Sequence, residues 1–103
     1  MPKKATKEIV CVAQFTAKPG RENQLVRSLH KLIKDTHQEE GCIRYELNQQ
    51  IDDPRVVTFI EKWADKKTFD KHCAMPYITD YFNHVAPKLV KAQSVTLHRE
   101  ILP

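Results

Sequence analysis

The chain has 103 residues, 41% of them hydrophobic and 29% charged, which bounds it to one globular domain and excludes a disordered or low-complexity protein. Its formal charge of +4 falls to +1 once Lys3, Lys4 and Lys7 are set aside, and no basic face interleaved with aromatics argues for nucleic acid as a partner. No apolar run approaches the ~18 residues of a membrane span and MPKKATKE lacks the apolar stretch of a secretory signal, so the expectation is a cytoplasmic protein with residues 1–8 as a flexible leader.

IVCVAQF (Ile9–Phe15) is β-branched and aromatic and short enough to be a strand, apolar on both faces. Lys18-Pro19-Gly20 then breaks the chain with a turn. From Arg21 onward Leu25, Leu29, Leu32 and Ile33 form a helical stripe, and Gly41 is placed to end that helix. In IRYELNQQ (Ile43–Gln50), Ile43, Tyr45 and Leu47 alternate with Arg44, Glu46 and Asn48, the pattern of a second strand. Asp52-Asp53-Pro54 reads as the turn of a hairpin leading into VVTFIEKW (Val56–Trp63), a third strand again apolar on both faces. Asp65 suits the N-cap of a helix from Lys66 to Ala74. Pro76 suits the first turn of another, with Tyr77, Ile78, Tyr81, Phe82 and Val85 on one face. After Pro87, Ser94–Leu102 reads as the fourth strand.

The order β-α-β-β-α-α-β predicts an α+β fold, a ferredoxin-like four-stranded antiparallel sheet with helices on one face. Helices cover only one side of such a sheet. Strands apolar on both sides therefore predict that a second copy covers the other, giving a homodimer.

Cys11, Cys42 and Cys73 form no CxxC pair, and no histidine cluster completes a zinc set. The expectation is reduced thiols and no metal.

Three stretches carry a resemblance. VAQFTAKPGRENQL (Val12–Leu25), EEGCIRYELNQ (Glu39–Gln49) and FIEKWADKKTFDKH (Phe59–His72), followed by PYITDYF (Pro76–Phe82), are similar to the antibiotic biosynthesis monooxygenase family and its small quinol monooxygenases. The resemblance implies a dimeric α+β barrel with a pocket between sheet and helices in each subunit. It further implies oxygen insertion into a quinol or polyketide phenol without flavin, haem or metal. The partners so implied are a small aromatic or carbonyl substrate, molecular oxygen and a second copy of the chain.

Such chemistry needs a base to ionise the substrate, a pocket for a flat ring and exclusion of water. His72 shares a helical face with Phe69 and Cys73, so it is expected to point toward the sheet and act as the base; family members commonly carry a histidine here. The alternative is a histidine that only bonds a carbonyl near a helix C-terminus. Trp63, on one face with Phe59 and Glu61, is a pocket wall or a core filler. Glu61 is a carboxylate in an apolar row, either paired with a cation across the dimer or sharing in proton transfer at a raised pKa. Tyr45, Tyr81 and Phe82 are core packing or an aromatic cage, Phe59 and Phe69 are candidate substrate contacts beside them, and Asn48 is either a donor to a developing oxyanion or a solvent-facing residue. His84 is the reserve base.

Similar small barrels serve other reactions, so two further readings stand: an isomerase or lyase acting on a small phosphorylated ketose, and a dimer that binds a small ligand without turnover. Haem degradation fits poorly. That branch uses an asparagine in the first strand, which is absent here, and a helical tryptophan where this chain has His72.

Overall fold

The computed structural model describes residues 3–4 and 7–103. Lys3–Lys4, part of the expected leader, form a two-residue strand (β1); residues 1, 2, 5 and 6 lie outside the described residues. Ile9–Ala17 (β2) runs two residues beyond the predicted end, with Ile9, Cys11, Ala13, Phe15 and Ala17 buried and Val10 and Val12 half-buried on the opposite face.

The first helical stretch is broken in two. Glu22–His30 (α1) buries Leu25 and Leu29, and Ile33–His37 (α2) follows after a turn. At the break the Leu32 N–H bonds back only three residues to Leu29 O, and the Thr36 hydroxyl donates to Leu32 O at 2.7 Å. A side chain that bonds the backbone four residues back competes with regular helix and bends it. The second segment ends at His37, before Gly41. Gly41 instead takes φ +85 at the entrance to the next strand, a backbone that favours glycine.

Cys42–Gln49 (β3) carries a register shift between Cys42 and Arg44. The extra residue there is Ile43, which is exposed, and Cys42 lies opposite Trp63 in its place. A strand's two-residue period fails across such a bulge, so the alternation expected from Ile43 holds only from Tyr45 onward. The predicted hairpin turn is present, with Asp53 accepting from the Arg55 N–H and pairing with its guanidinium. Val56–Trp63 (β4) alternates without interruption, turning Val57, Phe59, Glu61 and Trp63 inward.

Lys66–Cys73 (α3) starts on a capping box in which Asp65 accepts from the Thr68 N–H at 2.8 Å and Thr68 answers through its hydroxyl. Pro76–Asp80 (α4) passes into a π-helical turn at Tyr81–Val85 and a last short helix, Ala86–Leu89 (α5). Pro87 thus sits inside helix, where its ring would collide with the carbonyl four residues back; the wider π turn immediately precedes it. The final strand begins earlier than predicted, at Val90–His98 (β5), and Ile101–Leu102 (β6) is a separate strand paired with β1.

The main sheet has the antiparallel order β3-β4-β2-β5, and the helices lie on one face of it, the ferredoxin-like α+β arrangement. The core lies between them, with Trp63, Phe15 and Phe59 almost completely buried. Each such side chain stabilises the fold by about 1.5–3 kcal/mol relative to exposure. No helix among the described residues is long and apolar enough to cross a membrane.

The two glycines separate strain from crowding. Gly20 has φ +78 with open space around its missing Cβ, so Gly20→Ala is expected to cost about 1 kcal/mol. A Cβ on Gly41 would stand 2.5 Å from Thr68 Cβ, so Gly41→Ala is expected to cost at least about 3 kcal/mol. Denaturant midpoints of the two variants measure the difference.

Candidate active site

The site begins as one row across the sheet. In register, Glu61 lies between Cys11 of β2 and Tyr45 of β3, and the next row places Phe59 between Ala13 and Leu47. Alternation points these residues toward the helices, which puts a carboxylate among thiol and aromatic groups. Glu61 is 4% exposed. Its Oε1 accepts from the Trp63 indole N–H at 2.9 Å, and the Cys11 thiol is a second donor to it.

The capping box launches α3 from the end of β4 and turns Phe69 and His72 back over that row. His72 is 4% exposed, with its ring centroid 4.5 Å from the Trp63 ring at an interplanar angle of 33°. Tyr45 meets it edge-on at 5.4 Å. On its other side the His72 Nδ1 lies 2.9 Å from Glu39 Oε2. The Tyr77 hydroxyl of α4 donates to the same Glu39 oxygen, and the Thr36 hydroxyl of α2 lies 2.9 Å from Tyr77. His72 Nε2 makes no hydrogen bond with any described residue.

A cavity of about 210 Å³ opens between the sheet and the helices. Glu61 and His72 supply two polar walls, and Phe15, Tyr45, Phe59, Phe69 and Phe82 supply aromatic ones. Cys11, Cys73 and, from β5, Gln93 and Val95 complete much of the rim. No lysine or arginine lines it among the described residues. Nor does any group of three histidine, cysteine or acidic side chains among them stand ready to hold a metal.

Burial works on the two ionisable walls in opposite chemical senses. It raises the Glu61 carboxyl from 4.5 to about 7, with the Trp63 and Cys11 hydrogen bonds holding it down in part. It lowers His72 below 6.5, against the hydrogen bond and charge of Glu39. Both shifts favour the neutral form. The same desolvation, with the Glu61 charge, pushes the Cys11 thiol and the Tyr45 phenol upward, so neither ionises readily. A neutral imidazole with one nitrogen free, in a mostly apolar cavity, can take a proton from a bound hydroxyl or from carbon next to a carbonyl.

With this fold and cavity established, the relatives can be placed. The sequence pattern of the antibiotic biosynthesis monooxygenase family matches residues 8–84. The crystal structure of protein SO0527 from Shewanella oneidensis is 45% identical with a TM-score of 0.98, covering 100% of both chains. A crystal structure of an antibiotic biosynthesis monooxygenase is 27% identical with a TM-score of 0.81, covering 92% of this chain and 99% of that one. Rv0793 of Mycobacterium tuberculosis, provisionally named a monooxygenase, is 27% identical over 92 residues, 89% of this chain and 90% of that protein. The chain belongs to the antibiotic biosynthesis monooxygenase family.

Of the residues singled out in the sequence, His72, Glu61, Tyr45, Phe59, Phe69 and Phe82 meet at the cavity. Trp63 does not line it; fully buried, it is the layer behind His72 and Glu61. The Tyr81 hydroxyl turns away to Ser28 of α1 at 2.7 Å. Asn48 takes the solvent-facing of its two readings: it is exposed, and its amide donates to Glu46 O, because its place in β3 puts it on the sheet's other face. The reserve base His84 is also out, exposed and facing Asp80. No cation within the described chain pairs with Glu61, whose partners are the indole and a thiol. Glu39, Tyr77 and Thr36 went unrecognised as a group. They come from separate elements, and no spacing in the sequence links them to His72.

The Glu61 shift has a consequence for stability. The folded carboxyl keeps its proton up to about pH 7, whereas an ordinary one releases it near 4.5, so the folded state loses stability as pH rises between those values. Glu61→Gln keeps an acceptor for the indole and removes the titration. It is expected to match the wild type near pH 4.5 and exceed it above pH 8 by about 3 kcal/mol, read from denaturant midpoints at the two pH values.

Proposed function

We propose that the chain is a cofactor-independent monooxygenase that oxidises a quinol or related phenol with molecular oxygen, and that His72 is its base. The observation that carries the reading is His72 itself: buried, biased toward neutrality and with Nε2 unpartnered, on an aromatic cavity without a lysine or arginine. In this reading Nε2 takes the proton of a ring hydroxyl. The resulting anion is electron-rich enough to reduce oxygen directly; one oxygen atom enters the ring and the other leaves as water. Tyr45, Phe59, Phe69 and Phe82 hold the ring and keep solvent away, and Glu61, protonated over part of the neutral range, donates to a developing oxyanion.

The cavity lining weighs against a phosphorylated ketose, since no described cation on it would hold a phosphate. A passive binder would share the aromatic cage but has no need of a base.

The same reading includes the homodimer. Val10, Val12, Val56 and Ile60 are half-buried on the face of the sheet away from the helices, and a second copy's sheet is the simplest cover for them. Sedimentation equilibrium is expected to give twice the mass of the chain.

Oxygen uptake by metal-stripped protein, given a panel of reduced quinones, tests the reaction. Uptake above autoxidation is expected, falling roughly 10²- to 10⁴-fold in a folded His72→Ala variant. Because His72 must be neutral to act and its pKa is lowered, the acidic limb of the rate is expected below pH 6.5. Uptake equal to background in both proteins, with quinol still bound, would leave the passive binder as the better description.

A further inference from the structure

The face of His72 turned away from the cavity is as strongly built as the face that lines it. Its Nδ1 meets Glu39, and Glu39 and Tyr77 line a separate recess on the outer side of α3, with Lys71 and Met75. Glu39 Oε2 has two neighbours, the Tyr77 hydroxyl, which donates to it, and His72 Nδ1. A carboxylate offers only acceptors, so its hydrogen bond with the imidazole needs the proton on the ring nitrogen. The proton between Glu39 and His72 therefore belongs to Nδ1, and the lone pair is left at Nε2. Tyr77 spends its only proton on Glu39, so at Thr36 it accepts; Thr36 shares its one proton between Tyr77 and Leu32 O.

We propose that Glu39 and Tyr77 are positioning residues that clamp His72 in the Nδ1–H tautomer, keep its basic nitrogen Nε2 directed to the cavity, and set its basicity from the far side of the helix. The proposal rests on the reading of His72 as the base. Glu39 holds the Nδ1–H and favours the imidazolium that forms when Nε2 takes a proton. Tyr77 tempers it, since a hydrogen bond donated to a carboxylate weakens its pull on the neighbouring imidazolium. The other titratable groups around His72 are Tyr45 from β3, Glu61 and Cys11 across Trp63 and the cavity floor, and Cys73 and Lys71 on its own helix. Among all of these, Glu39 is the one that hydrogen-bonds the ring.

Imidazole nitrogen NMR on the full chain, without substrate, reads both tautomer and titration. In the wild type the proton of neutral His72 is expected on Nδ1. Glu39→Gln, which keeps an acceptor but removes the charge, is expected to lower the His72 pKa by about one unit or more. Tyr77→Phe, which removes a single oxygen and spares the fold, is expected to move it the opposite way, upward. A neutral His72 protonated on Nε2 would overturn the clamp. So would a titration that Glu39→Gln leaves in place, or one that Tyr77→Phe fails to raise. Because no substrate is involved, a titration unmoved by Glu39→Gln or Tyr77→Phe leaves the oxidation reading standing, whereas a proton on Nε2 would also remove that nitrogen as its base. Conversely, an intact clamp in a protein that consumes no oxygen counts against the reaction alone.

Discussion

Thr68 occupies the space that any side chain on residue 41 would need. That contact joins the entrance of β3 to the first turn of α3, and the Ala64 N–H bond to Gly41 O at 2.8 Å fixes the same corner from the strand side. Glu39 stands two residues before the glycine and His72 one helical turn beyond the threonine. Once the corner closes, carboxylate and imidazole are brought together from positions 33 residues apart in sequence. The capping box uses the same Thr68, so the start of the helix, its direction over the sheet and the site's polar pair depend on one close approach.

The corner also explains how two ionisable groups are tolerated in a small core. Burying a charge without a partner is costly, and the fold meets that cost differently for each. His72 stays close to its neutral form and lends its N–H to a carboxylate that reaches the outer recess. Glu61 has no such outlet: it accepts from an indole and a thiol and holds its proton into the neutral range. Trp63 stands between the two, touching His72 with its ring and Glu61 with its N–H. It is a support that shapes both groups without lining the cavity.

The edge strand β5 is the least enclosed part. Val95 and Leu97 are in register with Ala13 and Cys11, so they face the helical side, yet both are exposed. The cavity is therefore walled by packed aromatic rings toward β4 and open toward β5.

Periodicity in the sequence determined the α+β class, the four strands of the main sheet and the inward direction of Phe59, Glu61, Trp63, Phe69 and His72. These follow from local rules: two-residue alternation in strands, three- and four-residue spacing in helices, and an Asp at a helix start. The EGC and FIEKW stretches carried the family. Simple periodicity failed where the backbone leaves regular geometry, as at the bulge that exposes Ile43, the break between α1 and α2 and the π turn before Pro87. Only the tertiary structure separated Tyr81 and Asn48 from the cavity, moved Trp63 behind it and joined Glu39 and Tyr77 to His72. Periodicity specifies which way a side chain points along its own element. Which side chain it meets there depends on how separate elements pack, and that is settled only when the chain closes on itself.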